Sequence, residues 1–143
     1  MRYGLIVMLS FFTACSSPGL WYQGSWQVVD VRFPGISAMD NQTAEHWFGE
    51  MLVYAPAQVH FQKVECFMPV YSQQTLSEAE FYRAYRVMPA SLDIEPGSEG
   101  VRILQVGCPD NWIEPPASFI DAGGARAYML WDGAFFLLQK KSY

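Results

Sequence analysis

From residue 24 onward the chain alternates apolar and polar positions in short runs, the two-residue period of strands, broken twice by helical spacing. Residues 24–33 (GSWQVVDVRF) place Trp26 and Val28 on one phase, and Val29, Val31 and Phe33 on the other. That pattern predicts a strand with a shift of face, as a bulge produces, ended by Pro34-Gly35. Strand-like runs follow at 51–54 and 59–64 around Ala55-Pro56-Ala57, and residues 66–71 read as an irregular segment carrying Pro69. Residues 101–108 alternate with apolar side chains on both phases, which predicts a strand covered on both faces. The last thirty residues read as strand, turn and strand, then a two-residue Asp132-Gly133 turn and a returning strand over 134–140.

Two short helices interrupt this pattern. Ser37, with Asp40 three residues on, makes a capping-box-like start to a helix over 43–48 closed by Gly49. Ser77-Glu78-Ala79-Glu80 is a better capping box, and Phe81, Tyr82 and Tyr85 continue it as a helix over 78–86. Strands and long helices do not alternate, so the sequence predicts one mainly β domain over 24–143. Its expected form is a small antiparallel β-barrel or strongly curved sheet with two short helices. A closed or nearly closed barrel is favoured because closure removes exposed strand edges.

Upstream, Arg2 precedes an apolar stretch over 5–12 and then small residues before Cys15, the layout of a secretory signal peptide. Residues 3–14 are too few to cross a bilayer, which takes about 20 apolar residues. Phe12-Thr13-Ala14-Cys15 resembles the lipobox of bacterial lipoproteins, with Phe where Leu is commoner. The resemblance implies cleavage after residue 14, a diacylglyceryl thioether and acylated amino terminus on Cys15, and membrane attachment through that lipid. An ordinary cleaved secretion signal is the alternative. Ser16 after the modified cysteine, where Asp tends to retain lipoproteins at the inner membrane, implies an outer-membrane protein facing the periplasm. Residues 15–23, with two Ser, a Pro and a Gly, form the tether.

Composition narrows the function classes. Hydrophobic residues at 51% and aromatics at 16% suffice for one core without a cofactor, and none is expected. Loss of Arg2 with the signal peptide leaves eight basic against fourteen acidic residues, a net charge of −6, with no basic stripe for nucleic acid. This acidity suits solubility, or steering towards a cationic partner. With Cys15 lipidated, Cys66 and Cys108 remain as a pair in an oxidising compartment, which predicts a disulfide worth about 4 kcal/mol by the chain-entropy model. A metal site using Cys66 with His60 is the alternative, without the paired short spacings of zinc motifs.

Gly24-Ser25-Trp26 at the start of the first strand resembles the Gly-X-Trp motif of lipocalins and their calycin relatives. In that family the Trp plugs one end of the barrel under a basic residue from the last strand, which here implies Lys140 or Lys141. The chain is shorter than a full lipocalin and places its helices internally. Its size, anchor and cysteine pair also resemble small β-barrel envelope lipoproteins that inhibit lysozymes.

No nucleophile elbow, phosphate loop, His-Glu-X-X-His or Cys-X-X-Cys motif occurs, and His46 and His60 read as structural side chains. Glu78 and Glu80 occupy a helix N-terminus, where negative charge is stabilising in any case. The expectation is a non-enzymatic binding protein, without a metal, that holds a small apolar ligand or lipid in the barrel. The alternative is a protein-binding module, an inhibitor or assembly accessory. Trp112, in a Pro-rich loop, and Tyr71, near the expected disulfide, are the candidate contact residues for ligand or partner.

Overall fold

The computed structural model describes residues 19–110 and 113–142, so the expected signal peptide, Cys15 and Trp112 lie outside the described residues. Nine strands, β1 (Gly24–Arg32), β2 (Met51–Ala55), β3 (Gln58–Phe61), β4 (Val64–Phe67), β5 (Val70–Leu76), β6 (Val101–Gly107), β7 (Ser118–Gly123), β8 (Arg126–Trp131) and β9 (Ala134–Lys140), form one antiparallel sheet. Helix α1 (Asn41–Glu45) joins β1 to β2, and α2 (Glu78–Tyr85) with a 3-10 turn (Pro89–Leu92) joins β5 to β6. The strand order is β4-β3-β2-β1-β9-β8-β7-β6-β5. Each strand pairs with its sequence neighbours, and β1 pairs with β9, so first and last strands meet. Only β4 and β5, consecutive in the chain, are not hydrogen-bonded to each other. The sheet is therefore a half-barrel with a single seam, the strongly curved form of the expected fold.

The phase change in β1 is a bulge. Register shifts between Val28 and Asp30 against β9, which puts Val29 outside and returns Val31 to the core that holds Val28. Elsewhere the sequence reading needs correction. Residues 59–64 are not one strand but the β3–β4 hairpin, turning at Gln62 with φ +53. No glycine marks that turn. The segment read as irregular, 66–71, holds the end of β4 and the start of β5, a strand the sequence reading did not find because its Ser72, Gln73, Gln74 and Thr75 lie exposed on a sheet edge and lack an apolar alternation. Asp40, rather than Ser37, caps α1, its carboxylate accepting from the Thr43 N–H at 2.7 Å.

Two apolar cores lie on opposite faces of the sheet. Trp26, Val28, Leu52, Phe61, Leu104, Phe119, Met129, Phe136 and Leu138 fill the concave side. On the outer side Phe81 of α2 and Leu92 of the 3-10 turn pack over Ile103, Ile120, Tyr128 and Phe135. This is why β6 is apolar on both phases: Val101 and Ile103 face outward, Leu104 and Val106 inward.

The capping box of α2 is complete, with the Glu80 N–H donating to Ser77 Oγ and the Ser77 N–H donating to the Glu80 carboxylate at 2.8 Å. Replacing Ser77 with Ala is expected to lower stability by about 1 kcal/mol in urea unfolding. The Ser77 N–H holds the Glu80 pKa below its ordinary 4.5. Its contribution is therefore present above that value and is lost as pH falls through the lowered folded value. Because Ser77→Ala keeps that N–H, the variant that reads this contribution is Glu80→Gln, whose stability gap from wild type should narrow in unfolding curves taken below about pH 4.

Candidate functional site

The Gly24-Ser25-Trp26 motif organises one end of the half-barrel. Trp26 is 1% exposed, and its Nε1 donates to the Tyr22 carbonyl at 2.8 Å. Of the two lysines left open by the sequence, Lys140 lies over the indole, with Nζ 5.3 Å from the ring centroid. The same ammonium donates to the Trp21 carbonyl at 2.9 Å. A cation held over a desolvated tryptophan face is attracted by the ring quadrupole. Gly24 is required beneath it: its φ is +127°, and a Cβ there would sit 3.1 Å from Lys140 Cε.

Around Trp26 the concave side is occupied by further aromatic rings. Trp21 stacks on Phe119 at 5.7 Å and Trp26 meets the same ring edge-on at 4.9 Å. Tyr22 packs 5.0 Å from Tyr71, and Tyr54 5.0 Å from Phe119. Arg102 lies 5.4 Å from the Trp21 centroid while its guanidinium pairs with Asp121 at 2.5 Å. Ile113, Pro115 and Pro116 of the β6–β7 loop are buried, and the Tyr54 hydroxyl donates to the Pro116 carbonyl at 2.8 Å.

Tyr71 is half-buried in this cluster, and its hydroxyl donates to the Ala55 carbonyl at 2.6 Å. Burial, then the neighbouring Tyr22, pushes its pKa up to about 12, and burial raises Tyr54 well above 10. Both phenols stay protonated at neutral pH and tie strands to loops. Trp47 stacks on Phe136 at 4.4 Å against the same core, and Trp131 is half-buried beside it.

The cysteines pair as the sequence expects. Cys66 on β4 is bonded to Cys108, just past β6, with Cα atoms 5.8 Å apart, so the bridge spans the seam. His60 instead lies on the exposed β3–β4 hairpin, 3.9 Å from Glu65. No group of three His, Cys, Asp or Glu among the described residues is placed to hold a metal.

An apolar hollow of about 520 Å³ lies on the opposite, outer face. Leu130 and Phe135 floor it, Ala84, Tyr85 and Val87 from the end of α2 wall one side, and Ile36 stands at its rim. Arg86, the left-handed cap of α2 at φ +59, is the cation at its mouth. Loop 34–39 is held in place by the β8–β9 turn, where the Asp132 carbonyl accepts from Ser37 Oγ at 2.8 Å and from the Ala38 N–H at 2.9 Å. Gly133, at φ +80, lets that loop close, because a Cβ there would run into the Ile36 carbonyl. Sequence reasoning did not find this hollow. The available sign was the apolar outward phase of the last hairpin, Tyr128 and Leu130 facing Phe135 and Leu137, which requires a cover that α2 only partly supplies.

Comparison of the chain with protein-family models, curated proteins and solved structures yields no match to any of them.

Proposed function

We propose that the chain is a non-enzymatic binding lipoprotein of the bacterial envelope, anchored through Cys15 on the outer membrane and facing the periplasm. Its ligand is a small apolar molecule or lipid, taken up in the outer hollow rather than in the concave interior. The observation carrying this reading is the hollow itself, whose roughly 520 Å³ and apolar walls match the size and character of small-molecule sites. The concave interior, by contrast, is packed with Trp26, Tyr54, Phe61, Phe119 and Phe136, each at most 1% exposed. The non-enzymatic reading is supported by the polar groups: the Tyr54, Tyr71 and Tyr128 hydroxyls serve backbone carbonyls and both described cysteines are bridged.

Native mass spectrometry of protein isolated from an oxidising periplasm is expected to show an extra mass that is lost on denaturation. The neutral apolar dye N-phenyl-1-naphthylamine is expected to bind saturably, and Ala84→Trp to weaken it at least tenfold by filling the mouth from an exposed helix position. A bare mass together with no saturable dye binding would overturn the reading.

A protein partner is the second reading. Tyr82 at 46% and Met88 at 43% exposure present apolar surface on α2 and on the segment after it. The net charge of −6 left after signal-peptide removal suits a cationic surface.

A further inference from the structure

We propose that the end of the half-barrel where the chain emerges at residue 20 rests on the bilayer, with Phe67, Met68 and Val70 entering the boundary between headgroups and acyl chains. The inference depends on the lipid anchor at Cys15 proposed above. Phe67, Met68 and Val70 are 61%, 70% and 61% exposed, an apolar ridge with only Pro69 between its members. They lie where one edge strand passes into the other, at the end of β4 and the start of β5, and their place relative to the amino terminus follows from direct contacts. The Met68 N–H donates to the Ala57 carbonyl in the β2–β3 turn at 2.8 Å, and the Tyr71 hydroxyl donates to Ala55 at the end of β2. Tyr22 packs on Tyr71 with ring centroids 5.0 Å apart. The ridge therefore lies beside the point where the chain leaves the domain.

The tether then limits where the membrane can be. Trp21 is fastened to the domain by its Nε1 donating to Gln73 Oε1 at 2.9 Å, by Lys140 on its carbonyl, and by stacking on Phe119. Only residues 16–20 separate that fastening from the proposed lipidated Cys15 in the sequence. Six Cα steps reach at most about 20 Å, less than a small domain's diameter. An anchor that short brings this end of the domain to the membrane. Leu20, 45% exposed, adds to the apolar surface there. Lys141, exposed and bonded through its N–H to the Ser25 carbonyl at 2.8 Å, supplies a cation beside it for lipid phosphates. Apolar side chains flanked by lysine are the combination that holds peripheral surfaces in the interface.

The test uses the lipidated protein reconstituted in phosphatidylethanolamine–phosphatidylglycerol vesicles. A fluorophore is placed at Ala57→Cys beside the ridge, or at Gln42→Cys on α1, which follows the far end of β1. A lipid spin-labelled near its headgroup is expected to quench the probe at 57 at least threefold more than the probe at 42. Replacing Phe67, Met68 and Val70 together with Ser should bring quenching at 57 down to that at 42, with vesicle cosedimentation unchanged. Equal quenching at the two positions in cosedimenting protein would overturn the docking and leave the anchor standing. Undiminished quenching in the triple variant would overturn the role of the ridge. Failure to cosediment would overturn the anchor, and the docking with it.

Discussion

Removing the Cys66–Cys108 bridge is expected to lower the stability of the domain by about 2–5 kcal/mol. The bridge connects residues 42 apart in sequence, and the loop it closes contains the seam, β5, α2 and β6. Opening it returns to the unfolded chain the freedom of a long loop, about 4 kcal/mol in the entropic model. A second effect lies in the folded state. Strand β4 is four residues long and pairs only with β3, and β5 pairs only with β6. Without a ladder between β4 and β5, the bridge ties β4 to the end of β6 across that gap, adding to the Met68-Pro69 backbone link and the Tyr71–Ala55 hydrogen bond. The measurement is urea unfolding of a double variant with Ala at 66 and 108 against the oxidised parent. Alanine suits the site better than serine, because Cys66 is 0% exposed and a buried hydroxyl would add its own desolvation cost. The midpoint should fall and the slope stay near that of the parent. A loss below about 1 kcal/mol would mean that the aromatic cluster, not the bridge, holds the seam.

Trp26→Ala is expected to cost about 3–5 kcal/mol, the range for deleting a large buried aromatic. Trp26 is 1% exposed, meets Phe119 from across the sheet, donates to Tyr22 and carries Lys140 on its face. The substitution thus leaves a cavity and unpairs the Tyr22 carbonyl at the point where the amino-terminal segment joins the barrel. Lys140→Met separates the charge from the packing, since it keeps most of the apolar stem and removes the ammonium. Its expected cost is about 0.5–2 kcal/mol, as for a partly desolvated cation–π contact. Both are read by urea unfolding. Domains of this kind are stable by only about 5–15 kcal/mol, so Trp26→Ala alone can leave much of the protein unfolded at 37 °C. A Trp26→Ala cost no larger than that of Lys140→Met would show that the indole does not organise this end.

The lesson of the fold lies in which features depend on near neighbours in the chain and which on partners brought together through space. Sequence alone determined the features of the first kind. The switch of phase between Val28 and Val31 marked the β1 bulge, Ser77 and Glu80 marked the start of α2, and Asp132-Gly133 marked the last hairpin. Each signal is contained within about one turn of backbone, where spacing and capping act directly. The pairing of Cys66 with Cys108 was also legible, by elimination once Cys15 is assigned to lipid. Strand β5 was not, because an edge strand faces water on the side where a central strand would show its apolar period, and its polar run then resembles a loop. The seam, the choice of Lys140 over Lys141, and the outer hollow between α2 and the last hairpin were decided only by the tertiary structure. They depend on sheet curvature and on which residue of a strand end falls opposite Trp26, and these are settled by register across strands far apart in sequence.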